Sequence, residues 1–244
     1  MMTFADFEAF LKASFPEVTT EALERFRLMD SGYRDWNAKI NVISRKDIDG
    51  LYDHHVLHSL AIAEYLRTQR PETYSLFTAQ STDSVSADSP ESTTSPAEGA
   101  QAGLKVLDLG TGGGFPGIPL AVMFPNVKFT LCDSVGKKTI VAKEIANMLG
   151  IDNVEIVNAR AESLNERFDF VVSRAVASLT DFYPWVKGKY SRSILYLKGG
   201  DINEEICGLM ARERLRKGFV SIWPITQWLT DPYFDGKFVI DIRR

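Results

Sequence analysis

The stretch 106–117, VLDLGTGGGFPG, constrains the fold of this chain more tightly than any other. A short apolar run enters a turn with glycines at 110, 112, 113 and 114, and a helix is predicted to begin near Pro116. Glycine lets a backbone turn back sharply and approach a ligand closely, and the helix N-terminus beyond it offers free N–H groups to electron-rich atoms. Strand, glycine turn and helix in that order open a nucleotide-binding α/β sheet. The rest of this half of the chain repeats the alternation: strand-like segments at 104–109, 127–132, 154–159, 169–173 and 193–198 are separated by segments with helical spacing, notably 136–149 and 201–217. The expected class is therefore α/β with a doubly wound sheet. GFVSIWPI (218–225) and KFVIDI (237–242) follow one another across DPYFDG with no helix between them, which predicts an antiparallel finish.

Residues 1–67 read as a small helical cap. Phe4, Phe7, Phe10 and Leu11 mark a first helix, and Leu51, Val56, Leu57, Leu60, Ile62 and Leu66 mark a third. Between them, Leu23, Phe26, Met29, Tyr33, Trp36 and Ile40 recur at helical spacing behind the capping candidates Thr19 and Thr20. Residues 68–103 are rich in Ser, Thr, Ala, Pro, Glu and Asp, which predicts a flexible linker joining the cap to a domain at 104–244.

The formal net charge of −4 does not exclude a nucleic-acid partner, because the linker stretch alone holds five acidic residues and one basic residue. No run of about eighteen apolar residues is present, and Asp6 and Glu8 stand where a secretory signal would carry positive charge. A cytoplasmic protein with no membrane span is expected. Cys132 and Cys207 lie in apolar-patterned segments and read as core, not as a disulfide framework or a zinc site. All three histidines fall in YDHHVLHSL (52–60). Only two of His54, His55 and His58 can share a helical face, and neither a cysteine nor a third carboxylate ligand accompanies them, so packing or RNA contact is expected and a metal is not.

The glycine loop fits two cofactor classes. Gly112, Gly114 and Gly117 satisfy the dinucleotide pattern G-x-G-x-x-G, while Asp108, Gly110, Gly112 and Gly114 satisfy the D-x-G-x-G-x-G associated with S-adenosylmethionine. A carboxylate at Asp108 suits a sulfonium and an ammonium better than a pyrophosphate. Asp133, ending the second strand, is placed to hold two ribose hydroxyls in either class. Ala161 and Glu162, just past the third strand, are placed beside an adenine ring, the small residue leaving room and the polar one meeting its edge.

Several stretches together resemble the bacterial small-subunit ribosomal RNA guanine-N7 methyltransferases, the glucose-inhibited division protein B family. They are WNAKINVIS (36–44), HHVLHSL (54–60), VLDLGTGGGFPGIPLA (106–121), LCDSVGKK (131–138), ARAES (159–163), VVSRAVASL (171–179) and YLKG (196–199), in matching order and spacing. The resemblance implies a class I methyltransferase fold, S-adenosylmethionine as methyl donor, and a guanine N7 of 16S ribosomal RNA in the small ribosomal subunit as acceptor; separately, a monomer is expected. Carried over by motif, the donor contacts are Gly110, Gly112 and Phe115 in the loop, Asp133 at the ribose, Ala161 and Glu162 at the adenine, and Arg174 facing the donor pocket. The chain departs from the pattern at His58, where the family more often has Asp, and in the length of the 68–103 stretch. No catalytic acid or base is expected, since N7 carries a free lone pair, and SRAVASL (173–179) lacks the Pro-Pro-Tyr pattern of enzymes that methylate exocyclic amines. Phe115, Phe182, Tyr183 and Trp185 are stacking candidates for a base; Lys39, Arg45, Lys46, Lys137, Lys138 and Lys198 are candidates for RNA phosphates. A small-molecule methyltransferase, a nicotinamide oxidoreductase and a non-catalytic assembly factor are the competing readings.

Overall fold

The computed structural model describes residues 1–79, 103–216 and 218–244. Seven strands form one sheet: β1 (Lys105–Leu109), β2 (Lys128–Asp133), β3 (Val154–Asn158), β4 (Phe168–Arg174), β5 (Tyr190–Gly199), β6 (Val220–Pro224) and β7 (Lys237–Arg243), in the order β3-β2-β1-β4-β5-β7-β6. Strands β1 to β5 pair in parallel, and β7 lies antiparallel between β5 and β6. This is the expected doubly wound sheet with an antiparallel finish, the class I methyltransferase arrangement.

Strand β1 shows why the predicted runs are continuous rather than alternating. Val106 belongs to the core on one face of the sheet, Leu107 and Leu109 to the core on the other, so both sides of the strand must be apolar. Helices α7 (Leu179–Val186) and α8 (Asn203–Glu213) cover the second face, where Leu179, Phe182 and Leu209 are fully buried. On the first face lie α5 (Gly117–Met123), α6 (Gly136–Met148) and the N-terminal helices α1 (Phe4–Ser14), α2 (Thr20–Lys39) and α3 (His58–Gln69). Thr19 caps α2, its hydroxyl accepting the Ala22 N–H at 3.1 Å.

The N-terminal helices share one continuous core with the sheet, so the boundary near residue 67 is a boundary in sequence that the packing crosses. Gly32, mid-helix in α2, allows the closest approach: a Cβ there would lie 2.3 Å from Cε of Met148 on α6. Arg25 donates to the carbonyls of Leu149 and Gly150 beside it.

Two expectations are corrected. Residues 68–79 are helical, not linker: α3 runs to Gln69, and α4 (Pro71–Thr78) follows, with Pro71 at its first turn. Polar composition hid one apolar anchor and one ionic one. Phe77 is buried with its ring 5.1 Å from those of both Phe124 and Phe170, and Arg70 pairs at 2.5 Å with Asp241, a fully buried carboxylate on β7. The rest of the expected linker, through residue 102, lies outside the described residues. Cys132 is buried as expected, but Cys207 is exposed on α8, whose buried side is set by Ile206 and Leu209. No helix among the described residues is long and apolar enough to cross a membrane.

Candidate active site

The carboxyl ends of β1, β2, β3 and β4 surround a cavity of about 450 Å³, where an open parallel sheet presents its ligand site. Its walls include Gly110, Asp133, Ser134, Lys138, Ala161, Glu162, Arg174, Val176 and Trp185. Five expected donor contacts thus meet in one place: Gly110, Asp133, Ala161, Glu162 and Arg174.

The loop after β1 folds back over the end of β2, with the Gly110 N–H donating to the Cys132 carbonyl at 2.7 Å. Gly110 adopts φ of +75° and Gly112 of +59°, the left-handed region that favours glycine. Gly112 acts through its neighbour: its N–H donates to Oδ2 of Asp133 at 2.9 Å, while the Val135 N–H donates to Oδ1 at 2.8 Å. A carboxylate accepts about four hydrogen bonds, so Asp133 keeps a free acceptor position on each oxygen at the cavity wall.

Asp108 does not reach the cavity. It is fully buried beneath the loop, where Oδ2 accepts from the Thr111 hydroxyl at 2.6 Å and the Gly117 N–H at 2.8 Å, and Oδ1 has no partner among the described residues. Its place corrects the expectation that it meets the donor's positive charge: it ties the glycine loop to the first turn of α5. Burial outweighs both hydrogen bonds and pushes its carboxyl up to about 7. An unfolded aspartate ionises near 3.8, so between about pH 4 and 7 the folded state binds the extra proton and stability falls as pH rises through that window. Asp108→Asn keeps a carbonyl acceptor for Gly117 and removes this titration. The stability of the wild type relative to the variant is expected to be lower at about pH 8 than at about pH 5 by denaturant unfolding, and an unchanged difference would assign the proton elsewhere.

Phe115 is not among the side chains that line the cavity. Its ring turns away from the cavity into the N-terminal helices, 2% exposed, stacked on Tyr33 with centroids 4.7 Å apart. The Tyr33 hydroxyl donates to the Gly113 carbonyl at 2.9 Å, and Val42 lies against Gly113, so α2 and the segment after it buttress the glycine loop. Asn37 holds that segment: its Oδ1 accepts from the N–H groups of Val42 and Ile43, and its Nδ2 donates to the Ile43 carbonyl. Arg45 and Lys46 are exposed on the same stretch.

Arg174 ends β4 at the cavity wall. Its guanidinium lies 5.0 Å from the Phe115 ring centroid, with Nη1 3.4 Å from Nδ1 of His55, and it makes no ion pair among the described residues. The turn that follows is strained, Ala175 having φ of +48°, and is pinned by Tyr196, whose hydroxyl accepts from the Val176 and Ala177 N–H groups and donates to the Ala177 carbonyl. This hook presses Val176 toward Gly110.

Of the stacking candidates, Trp185 lines the cavity, whereas Phe182 and Tyr183 are core. Lys39 is exposed over Trp36, and Lys137 is exposed at the start of α6; Lys198 instead pairs with Glu205 at 3.0 Å and donates to the Ala177 carbonyl. Asp47 bridges His54 and His55, and His58 is buried edge-on against Tyr233 and Phe234. Sequence reasoning missed the roles of Tyr33, Asn37, Asp47 and Val176: Tyr33 and Val176 meet the glycine loop from far away along the chain, and Asn37 and Asp47 act through side chains and backbone of irregular segments close by in sequence.

The profile of the family described as rRNA small subunit methyltransferase G matches residues 87–227. The chain is 44% identical to ribosomal RNA small subunit methyltransferase G of Christiangramia forsetii over 94% of each chain, and 45% identical to that of Bacteroides thetaiotaomicron over 78% of this chain and 81% of the relative. Among solved structures, a SAM-dependent methyltransferase from Aquifex aeolicus is 20% identical with a TM-score of 0.44, covering 57% of this chain and 81% of that one. By length covered and identity, this chain belongs to the rRNA small subunit methyltransferase G family.

Proposed function

We infer that the protein transfers a methyl group from S-adenosylmethionine to N7 of a guanine in 16S ribosomal RNA of the small ribosomal subunit. The observation that carries the reading is the convergence of Asp133, Ala161, Glu162 and Arg174 on one cavity beside the Gly110 turn, in a chain of this family. The residues present fit the donor. Asp133 offers acceptor positions to two ribose hydroxyls, buried Ala161 leaves room for the adenine with Glu162 at its edge, and Arg174 supplies a cation for the donor's carboxylate end. Bound there, S-adenosylmethionine supplies an electrophilic methyl group on sulfur.

Guanine N7 needs no proton removed, so this chain's work is alignment and exclusion of water, which supplies on the order of 7–11 kcal/mol of barrier reduction. Val176 and Trp185 belong to the apolar part of the wall, against which a base can lie. Lys138 at the cavity and Arg45 and Lys46 beside the glycine loop give the rim positive charge for phosphates.

Small subunits from cells lacking the gene, incubated with the protein and labelled S-adenosylmethionine, are expected to yield label in 7-methylguanosine on nucleoside analysis. Label at another nucleoside, or donor binding with no label on RNA, would overturn the acceptor assignment.

A further inference from the structure

We propose that His55 is a positioning residue that aims the Arg174 guanidinium at the cavity through a neutral acceptor, fixed by Asp47, so that the arginine is held in place with its charge uncancelled. This rests on the functional reading above and deepens it at the same site.

The hydrogen-bond chain fixes the tautomer. Asp47 uses one oxygen for Nδ1 of His54 at 2.6 Å and the other for Nε2 of His55 at 2.8 Å. A carboxylate only accepts, so Nε2 of His55 carries its proton. Burial and the adjacent Arg174 push the His55 imidazole down to about 4, which leaves it neutral at pH 7 and Nδ1 a bare lone pair. That lone pair faces Nη1 of Arg174 at 3.4 Å, and the arginine is the donor. The Phe115 ring, fixed by its stack on Tyr33, supports the guanidinium from a second side.

Electrostatics explains why an imidazole suits this position better than an acid. A carboxylate in place of His55 would form a buried ion pair with Arg174 and satisfy its charge inside the protein. A neutral nitrogen directs one N–H and leaves the full positive charge for an anionic group in the cavity, which is the donor's carboxylate under the functional reading. The negative charge needed to orient the histidine is placed one ring further away, on Asp47, which His54 shares. His54 is itself stacked on Tyr233 with centroids 3.7 Å apart, so the arrangement is braced at its outer end.

The test uses the full-length protein and calorimetric titration with S-adenosylmethionine, a readout independent of turnover. An asparagine amide oxygen stands near the place of Nδ1, whereas a glutamine reaches toward Nε2. His55→Ala is expected to weaken donor binding about tenfold, equivalent to about 1.4 kcal/mol. His55→Asn is expected to recover most of that loss and His55→Gln little of it, with all three unfolding at similar denaturant concentrations. His55→Asp is expected to bind donor no better than His55→Ala, because it holds the arginine and cancels it. In an Arg174→Lys background, His55→Ala is expected to add little further loss. Wild-type donor affinity in His55→Ala, equal losses in the Asn and Gln variants, or losses that track stability would overturn the proposal while leaving the donor site intact. Donor binding in the wild type without methylation of small subunits would instead overturn the acceptor assignment, and the calorimetric comparison still decides the role of His55.

Discussion

Gly110→Val is expected to abolish S-adenosylmethionine binding while the far-ultraviolet circular dichroism stays native. Gly110 has φ of +75°, and a Cβ built on it would lie 2.4 Å from Cγ2 and 3.1 Å from Cγ1 of Val176. A left-handed conformation costs a non-glycine residue roughly 1–2 kcal/mol, and forcing extra methyl groups into a packed contact adds about 1–3 kcal/mol. Neither sum unfolds an ordinary domain, whose stability is about 5–15 kcal/mol. The strain can be relieved only by displacing the 110 turn or Val176, and both are cavity walls. Val176 cannot retreat with its backbone, because Tyr196 holds the N–H groups of Val176 and Ala177. Donor affinity is therefore expected to fall by on the order of 100-fold or more, about 2.8 kcal/mol, for a loss of stability of a few kcal/mol. An unchanged dissociation constant by calorimetry would show that the donor lies elsewhere.

The same turn shows how far the sequence could be read. The periodicity of 104–109 and the glycines after it are local signals, and they locate β1, the turn and α5 because strand pairing and backbone φ depend on nearby residues. Side-chain direction within the turn is another matter. Phe115 occupies a cofactor position by motif, yet its ring points to Tyr33, and nothing near residue 115 announces a partner on a helix more than eighty residues earlier. Asp108 was legible as an acid beside the glycines and illegible as a buried one, because its depth is created by α5 and the overlying loop together. The Asp47, His55 and Arg174 chain spans 119 residues between its last two members, so no spacing rule could join them. Helix α4 was missed for a different reason: two buried side chains, Thr73 and Phe77, anchor eight residues whose composition is otherwise that of a linker.

Arg174→Ala separates function from folding most sharply, because the two effects are expected to have opposite signs. The guanidinium is desolvated, which holds its pKa below the ordinary arginine value, and no carboxylate compensates it among the described residues. Removing a half-buried charge that has no ionic partner among the described residues relieves that penalty, so denaturant unfolding is expected to show stability equal to or above the wild type. Methyl transfer at sub-saturating donor is expected to drop on the order of 100- to 1000-fold, the loss that follows truncation of the cationic partner of a bound anionic group. Arg174→Lys should recover only part of it: a lysine keeps the charge, but its ammonium lacks the planar fork that reaches His55 with one nitrogen, lies on Phe115 with its face and still points donors at a ligand. A residue whose role is to hold the fold would behave in the reverse way, losing stability first and activity with it. Single-turnover methylation of small subunits, measured beside denaturant unfolding of the same two variants, distinguishes the cases: retained transfer in Arg174→Ala, or a drop in stability that accounts for the lost activity, would return this arginine to a structural role.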